Sequence, residues 1–444
     1  MPSTGQVLCT DCGPEACRRK TAGNNFAALL GDDASSSSDP DEVAAASPQT
    51  LELLPLPRVK ASELTYLTFL REFALPGKPF ILEGVGDDWP ARARWADPSY
   101  FLEHAGVDLE RECTISVGAF GGGALAEEET TVGDALRRLV ARRADATSDG
   151  APVYMNAWPY VRGGSGALQA DFEVPSVFAR SAAWAEESPV LGNAAVDLKW
   201  VYVGEARTGS GSHVDCNMTS AWLWCAAGEK EWRCVHAQDS DALLATNALS
   251  GRAALGGGGG GDGSDDDEEE APVPDLFRPD LQRFPRLAAA RVYAGVQRAG
   301  DVCFNPSGCL HAVRNNAFTV SLTHNYVDAS NLGAVLADGA RSLTSELLPM
   351  ARALGPKKFL KTLRKSLGGG LKASELEALL RALPTLASDD AVAEAIDAAV
   401  RPESGVDAAE ARELLAGGAR GEALGAAREA FGGAARTLCE ALGL

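Results

Sequence analysis

Two short stretches decide the fold of this chain. The stretch Gly300–His311 reads Gly-Asp-Val-Cys-Phe-Asn-Pro-Ser-Gly-Cys-Leu-His, and the stretch Gly211–Asp215 reads Gly-Ser-His-Val-Asp. In the first, a Gly-Asp turn precedes an apolar strand, and Pro-Ser-Gly predicts a tight turn just before the histidine. In the second, His213 and Asp215 are two residues apart, and residues at that spacing on a β-strand point to the same face. Each stretch therefore predicts a strand that delivers a histidine.

His213, Asp215 and His311 form a candidate metal site. Two imidazoles and one carboxylate on one side of an ion are the ligand set of non-haem Fe(II) oxygenases, which keep open positions on the metal. A chelating cosubstrate and O2 can fill those positions. The chain has only 5 histidines, so few others compete for this role. The alternative is that His213 and His311 are ordinary hydrogen-bonded strand residues.

Lys230 lies in a segment whose alternation predicts a buried ammonium. Residues 229–235 read Glu-Lys-Glu-Trp-Arg-Cys-Val, so that on a strand Lys230 shares one face with Trp232 and Cys234. An inward lysine is costly unless it meets an anion, and a bound dicarboxylate would be that anion. The alternative is that the ammonium extends past Trp232 to water.

A second alternating segment follows His311. Polar residues at every other position, with apolar residues or a histidine between them, occur at Thr319, Ser321, Thr323 and Asn325. This pattern predicts either the wall of a wet pocket or the solvent face of a half-buried strand.

Together these segments resemble the Jumonji-C branch of the cupin superfamily, the 2-oxoglutarate-dependent oxygenases. The resemblance covers roughly residues 56–345, and its marks include the segments Trp200–Gly204, Gly228–Trp232 and Gly300–Asn331. The segment Thr323–Asp328 is similar to small lysyl hydroxylases of the Jumonji-domain-containing protein four type, which act on translation or splicing proteins.

The resemblance implies a double-stranded β-helix (jelly roll) that holds Fe(II) through the three candidate ligands. The cosubstrate 2-oxoglutarate would chelate the iron, and its far carboxylate would meet Lys230. Hydrogen bonds from Thr323 and Tyr154 would support it, and Asn325 matches a polar position of the pocket. O2 would be split as 2-oxoglutarate is decarboxylated to succinate and CO2.

Several positions depart from the family pattern, among them the segments Ala157–Pro159 and Val235–Ala237. Leu223 stands where one close subgroup has an asparagine beside the cosubstrate, and Glu229 and Glu231 replace residues that are usually basic. None of these departures removes a candidate metal ligand. They bear on the substrate and on the affinity for the cosubstrate.

We expect an α+β chain with a mainly β core. The oxygenase-like domain is predicted over residues 51–346, with its core at about 155–345 and with N-terminal helices over 62–74 and 131–141. A strand is expected over 78–85. Residues 347–444, rich in Ala, Leu, Glu and Arg, predict a helical C-terminal region, for which packing on the barrel, homodimerisation and substrate docking are the alternatives.

Two segments have the composition of unfolded chain. Residues 1–50 carry little apolar content and are expected to be disordered, with free thiols rather than a zinc site at Cys9, Cys12 and Cys17. Residues 255–271 contain six consecutive glycines and then an acidic run, which predicts a flexible insert within the barrel domain.

Charge and hydropathy restrict the partners. The net charge of −20 argues against direct nucleic-acid binding, because gripping phosphates requires a basic face. The sequence has no apolar run of membrane-spanning length and no signal-peptide pattern, which predicts an intracellular protein of the cytoplasm or nucleus. Ten cysteines without a secretory signal agree with buried thiols in a reducing compartment.

Two classes of function follow from these observations. The first is an Fe(II)- and 2-oxoglutarate-dependent oxygenase that hydroxylates a side chain, with lysine expected, in a protein partner. N-methyl-lysine demethylation and RNA-base hydroxylation are variants of that chemistry. The second is a cupin that binds metal or partners as a scaffold without oxidising them. Specificity lies in loops, so the sequence does not name the substrate.

Overall fold

A computed structural model of the chain describes residues 51–121, 125–144, 150–179, 198–240, 273–366, 372–400 and 407–444, with residues 188, 191, 242 and 243. The expected disordered segment 1–50 and the acidic insert 255–271 lie outside the described residues.

Strands dominate the described residues from 53 to 326. Their bounds are β1 Leu53–Pro55, β2 Arg58–Lys60, β3 Phe80–Glu83, β4 Glu112–Val117, β5 Ala126–Thr131, β6 Val153–Trp158, β7 Lys199–Gly204, β8 Gly209–His213, β9 Ser220–Ala227, β10 Glu229–Val235, β11 Val292–Arg298, β12 Val302–Asn305, β13 His311–Asn315 and β14 Thr319–Tyr326. One sheet has the order β1-β11-β10-β13-β8 and the other the order β2-β3-β12-β9-β14-β7-β6-β4-β5. Only β1–β11 and β2–β3 pair in parallel among these strands.

Alternation along the strands builds two different packing layers. In β9, Trp222 and Trp224 belong to the large core that the helices share, whereas Leu223 belongs to a cluster formed with the five-stranded sheet. In β12, Phe304 likewise belongs to the large core and Cys303 to the cluster formed with the five-stranded sheet. Because successive side chains of a strand point to opposite faces, the nine-stranded sheet is covered by helices on one face and by the smaller sheet on the other.

Helices flank the strands, with bounds α1 Tyr66–Phe69, α2 Pro90–Arg94, α3 Ser99–Glu103, α4 Val132–Ala144, α5 Leu332–Ser342, α6 Leu348–Leu354, α7 Pro356–Ser366, α8 Ala373–Ala382, α9 Asp389–Ala399, α10 Ala408–Ala416 and α11 Gly418–Leu442. Helix α1 continues as a π-helical turn over Leu70–Ala74. No helix in the described part of the chain is both long enough and apolar enough to cross a bilayer.

The bounds of the N-terminal elements differ from those predicted. Helix α1, predicted to begin at residue 62, begins at Tyr66 and is capped by the side chain of Thr65. The reason is that Ala61–Glu63 is a separate 3-10 turn, and the extended Leu64 (φ −86°, ψ 108°) interrupts the helical backbone. The strand expected over 78–85 covers only β3, and the second helix, α4, runs to Ala144.

The C-terminal helices pack on the rest of the domain. Their apolar residues join one core with the helical face of the nine-stranded sheet. Arg71, next to α1, forms an ion pair with Glu410 of α10, and Arg420 of α11 donates hydrogen bonds to the carbonyl oxygens of Leu75 and Ser330. Packing on the barrel, one of the three expected roles, is therefore present. The architecture combines two large β-sheets with a C-terminal helical region.

An aromatic cluster at the centre of the large core should govern stability. Phe304 is fully buried, with its ring centroid 5.1 Å from that of Phe69 and 5.4 Å from that of Phe80. We expect Phe304→Ala to lower the free energy of unfolding by about 3–5 kcal/mol, because it removes buried area and leaves a cavity. Chemical denaturation followed by tryptophan fluorescence measures this.

The matched control is Leu53→Ala, since Leu53 is 43% exposed. It should change the free energy of unfolding by less than about 0.5 kcal/mol. Equal effects of the two substitutions would contradict the placement of Phe304 in the core.

Candidate metal centre and cosubstrate pocket

His213 and His311 face each other across two neighbouring strands. Strand β8 ends at His213, strand β13 begins at His311, and the two residues are direct partners in the antiparallel register. Their ring centroids are 4.3 Å apart. The register of the five-stranded sheet therefore places both imidazoles on the same side, as the two sequence stretches predicted.

A hydrogen bond to a backbone carbonyl oxygen fixes both imidazoles in the same tautomer. Nδ1 of His213 lies 2.7 Å from the carbonyl oxygen of Gly211, and Nδ1 of His311 lies 2.9 Å from that of Cys309. A carbonyl only accepts, so each Nδ1 carries the hydrogen and donates it. Each Nε2 then carries the lone pair that a metal ion requires.

Asp215 lies beside the two histidines, but it is not on the strand on which it was expected. Strand β8 stops at His213, and Asp215 stands in extended conformation (φ −60°, ψ 143°) before the 3-10 turn Cys216–Met218. The prediction that both residues lie on one strand is therefore wrong, because the chain turns off the sheet between them. Even so, one ligand atom from each of His213, Asp215 and His311 lies within 4.8 Å of the others.

These three side chains fit a divalent transition metal. Oδ2 of Asp215 is buried and has no hydrogen-bond partner among the described residues. Burial raises the pKa of this carboxyl, while His311 and a hydrogen bond from Asn325 oppose that shift. A metal ion would supply the partner that Oδ2 lacks, and two imidazole nitrogens with one carboxylate suit iron. No second group of this kind occurs in the described ranges.

Asn325 is oriented beside the carboxylate by a threonine. The hydroxyl of Thr219 donates its hydrogen to the carbonyl oxygen of Cys216 at 2.7 Å. The hydroxyl oxygen of Thr219 therefore accepts a hydrogen from Nδ2 of Asn325 at 3.0 Å. The amide is thereby fixed, and its Oδ1 is buried without a partner among the described residues. Asn325, expected in the pocket, thus lies next to the candidate metal ligand Asp215.

Lys230 is fully buried, with an exposed fraction of 0%. The alternation of β10 is confirmed, and extension of the ammonium to water is excluded. Nζ donates to Oδ1 of Asn315 at 2.8 Å, and the described residues offer it no carboxylate. Burial lowers the pKa of Lys230 to about 8. Against an ordinary value of 10.5, keeping the ammonium charged costs about 3 kcal/mol, which a bound anion would offset.

Two tyrosines wall the space around the Lys230 ammonium. Nζ lies 5.8 Å from the ring centroid of Tyr154 and 6.0 Å from that of Tyr202. Burial raises the pKa of the Tyr154 hydroxyl. Tyr154, expected to support the cosubstrate, is therefore beside Lys230, although its contact with a cosubstrate stays a prediction.

A row of hydroxyl groups lines the same face of β14. The side-chain oxygens of Thr319, Ser321 and Thr323 are buried and have no hydrogen-bond partner among the described residues. Buried polar atoms normally find partners, so the row indicates a polar ligand. Of the two readings of this strand, the solvent face is wrong, since every residue of β14 is buried. Leu223 is the register partner of Thr323, so this departure from the family pattern borders the row.

Sequence reasoning missed Asn315 and Thr208. Asn315 ends β13 opposite Lys230, and its Nδ2 donates to Oγ1 of Thr208 at 2.8 Å. The signal that was present is weak: Asn315 stands four residues after His311 on the same predicted strand. Lys230 and Asn315 are 85 positions apart in the sequence, and Asn315 and Thr208 are 107 positions apart. No local sequence pattern therefore reveals these two hydrogen bonds.

Comparison with known proteins agrees with this geometry. The sequence profile of the cupin-like domain family matches residues 66–331. The chain belongs to the cupin-like domain family. Its relatives carry the names of Jumonji-type oxygenases, demethylases and hydroxylases, which confirms the expected resemblance and, at the level of the family, an oxygenase class that uses iron and 2-oxoglutarate.

Three curated relatives show how far the similarity extends. The arginine-specific demethylase JMJ22 of Arabidopsis thaliana is 26% identical over 60% of this chain and 45% of that protein. The bifunctional arginine demethylase and lysyl-hydroxylase psr-1 of Caenorhabditis briggsae is 27% identical over 63% of this chain and 64% of its own length. The human 2-oxoglutarate and iron-dependent oxygenase JMJD4 is 24% identical over 60% of each protein. The chain thus spans about half to two thirds of these relatives.

Substitution of the carboxylate tests the metal centre. We expect Asp215→Asn to weaken binding of Mn(II), a probe for Fe(II), by more than about 100-fold, because the amide keeps the shape but loses the charge of the ligand. Calorimetric titration of the metal-free protein measures this. Asp88→Asn, at an exposed aspartate, is the control and should bind like the parent. Unchanged affinity in Asp215→Asn would exclude this carboxylate as a ligand.

Proposed function

We propose that the protein is an Fe(II)- and 2-oxoglutarate-dependent oxygenase that hydroxylates a side chain of a protein substrate, with lysine as the expected target. The observation that carries the proposal is the pairing of two unsatisfied sites in one barrel. One is the His213, Asp215 and His311 group, whose ligand atoms lie within 4.8 Å of one another. The other is the buried ammonium of Lys230, which has no carboxylate among the described residues.

The two sites match the two ends of 2-oxoglutarate. Its 2-oxo acid end chelates iron, and its far carboxylate requires a cation. Lys230 supplies that cation, and the partnerless hydroxyls of Thr323 and Ser321 supply hydrogen bonds to the bound molecule. The surrounding double-stranded β-helix, which the two packed sheets support, would hold these groups in a space shielded from water.

Iron, when bound, supplies the chemistry that couples oxidation of 2-oxoglutarate to succinate and CO2 with insertion of one oxygen atom of O2 into a substrate C–H bond. The chain contributes the arrangement around it. His213 and His311 present Nε2 because their Nδ1 atoms are held by carbonyl oxygens. Asn325, whose amide Thr219 orients, would steady the carboxylate of Asp215. These contacts fix the ligand geometry before the cosubstrate arrives.

The substrate is proposed from the class of relatives. Two of them are named for lysyl hydroxylation together with arginine demethylation, and one for arginine demethylation alone. Hydroxylation and demethylation both begin with oxidation of a C–H bond, so one site can serve either. A translation or splicing protein as the partner, and an intracellular location, stay predictions.

Cosubstrate turnover tests the proposed function. We expect the purified protein with Fe(II) and O2 to release succinate from 2-oxoglutarate, and His213→Ala to lose this activity while keeping its fold. Succinate measured by mass spectrometry, with and without added cell lysate, gives the result.

His104→Ala is the control, because His104 lies outside the candidate metal group. It should retain turnover. Activity retained in His213→Ala would overturn the metal assignment. An inactive parent protein that also fails to bind 2-oxoglutarate would favour the scaffold alternative.

The pH dependence of cosubstrate binding tests the role of Lys230. With a pKa of about 8 in the free protein, the ammonium is protonated below that pH, and the dicarboxylate binds this form. We expect full affinity for 2-oxoglutarate below about pH 8 and a loss approaching tenfold per pH unit above it. Calorimetry on the Mn(II)-loaded protein between pH 7 and 9.5 measures this. Affinity that does not change over that range would exclude Lys230 as the carboxylate partner.

A further inference from the structure

Within the described part of the chain, the Lys230 ammonium donates a hydrogen bond to one partner, and that partner is neutral. Nζ donates to the amide oxygen of Asn315 at 2.8 Å, and the two residues are direct neighbours across β10 and β13. An ammonium has three N–H groups, so this bond leaves two for a ligand. An amide oxygen accepts the hydrogen without neutralising the charge, which keeps the cation available to an incoming anion.

The amide of Asn315 has a fixed direction. The hydroxyl of Thr208 donates to the carbonyl oxygen of Glu205 at 2.7 Å. Its lone pairs therefore accept a hydrogen, which comes from Nδ2 of Asn315 at 2.8 Å. With Nδ2 assigned to Thr208, Oδ1 of Asn315 must face Lys230. The direction of the contact is thus set by one threonine hydroxyl.

The backbone locks Asn315 onto the same turn. Its N–H donates to the carbonyl oxygen of Thr208, and its carbonyl oxygen accepts the N–H of Arg207, both at 2.8 Å. Arg207 holds a left-handed φ of 69°, which costs energy in a residue with a side chain. Such a turn persists only where its surroundings determine it, and Asn315 supplies two of the bonds that do so.

The turn also leaves no room for a side chain at Gly204. A Cβ there would lie 2.3 Å from the ring of Tyr154 and 2.9 Å from Oγ1 of Thr208. Gly204 therefore lets the tyrosine wall and the threonine hydroxyl approach each other. The end of the pocket at Lys230 is assembled around a close approach of three strands, β6, β7 and β13.

We propose that Asn315, oriented by Thr208, is a positioning residue that aims the Lys230 ammonium at the far carboxylate of a five-carbon 2-oxo dicarboxylic acid. This inference rests on the proposed function and adds a determinant of cosubstrate selectivity. It predicts that the charge at this end favours a dicarboxylate over a 2-oxo monocarboxylate of equal chain length. Replacing the amide by a carboxylate would place an anion next to the position where the cosubstrate anion must bind.

The test is Asn315→Asp, which keeps the size of the side chain. We expect the affinity of the Mn(II)-loaded protein for 2-oxoglutarate, measured by calorimetry, to fall at least about tenfold, because the new carboxylate pairs with Lys230. Binding of 2-oxopentanoate, the monocarboxylate, should fall less, so that the ratio of the two affinities shrinks. In turnover assays, KM for 2-oxoglutarate should rise while kcat changes less than twofold. A purely structural role for Asn315 would not move this ratio.

Two further comparisons support the experiment. Asn316→Asp is the control, since Asn316 is exposed and adjacent, and it should leave both affinities unchanged. Thr208→Val removes the hydroxyl that orients the amide and should weaken 2-oxoglutarate binding, whereas Thr208→Ser should restore it. If Asn315→Asp fails to fold, as judged by thermal melting, the comparison of Thr208→Val with Thr208→Ser tests the positioning role instead.

The outcomes separate this inference from the function on which it rests. If the parent protein does not bind 2-oxoglutarate, the proposed function and this inference both fall. If the parent binds it and Asn315→Asp binds it equally well with the same ratio to 2-oxopentanoate, only the positioning role is overturned. Weaker binding of both acids by the same factor would also overturn that role.

Discussion

The structure depends on a lysine ammonium that is completely buried in the fold. Lys230 has a neutral amide beside it, two tyrosine rings around it and no carboxylate among the described residues. A cation in this setting is costly, and burial lowers its pKa to about 8. A folded chain would replace such a lysine by an apolar residue if stability alone mattered. Its presence indicates a ligand with a negative charge, and the surrounding pocket follows from that requirement.

The second constraint is the register of the five-stranded sheet. Strand β10 lies between β11 and β13, and β13 pairs with β8. The pairing of β13 with β10 sets Lys230 opposite Asn315, and its pairing with β8 sets His311 opposite His213. One strand therefore positions both ends of the site. A shift of β13 by one residue would reverse every side chain and remove both ends together.

The two sites share a way of orienting an asparagine. In each, a threonine hydroxyl donates to the carbonyl oxygen three residues before it and accepts Nδ2 of the asparagine. The asparagine oxygen is thereby directed, toward Lys230 in the case of Asn315. Neither arrangement requires a charged group. Fixed dipoles of this kind orient a cation or a metal ligand before binding, at no cost when the ligand arrives.

The sequence predicted which residues form the site better than it predicted the backbone path that brings them together. The inward direction of Lys230 followed from strict alternation in β10, which the structure confirms, and the two histidines followed from turn signals around them. Asp215 lies where it was expected but not on the strand that was expected, because the chain leaves the sheet at His213. Local patterns do not report such a departure.

Residues that act through distant partners were beyond the sequence. Asn315 and Thr208 stand in ordinary strand and turn contexts, and their roles arise only when β10, β13 and the turn between β7 and β8 come together. The C-terminal helices show the same limit at larger scale. Their composition predicted helices and left packing as one of three roles, whereas the ion pair of Arg71 with Glu410, across more than three hundred residues, arises only in the fold. The N-terminal helix was predicted too long, because Leu64 takes an extended conformation.

The most direct test of the metal centre and the cosubstrate pocket is a crystal structure. The crystals would be soaked with Fe(II) and 2-oxoglutarate in the absence of oxygen, and anomalous scattering would be measured at the iron edge. We expect one iron peak bound by Nε2 of His213, Nε2 of His311 and a carboxylate oxygen of Asp215. We also expect the far carboxylate of 2-oxoglutarate at Nζ of Lys230. Iron bound elsewhere, or a cosubstrate whose far carboxylate pairs with another cation while Lys230 keeps Asn315 alone, would contradict this assignment.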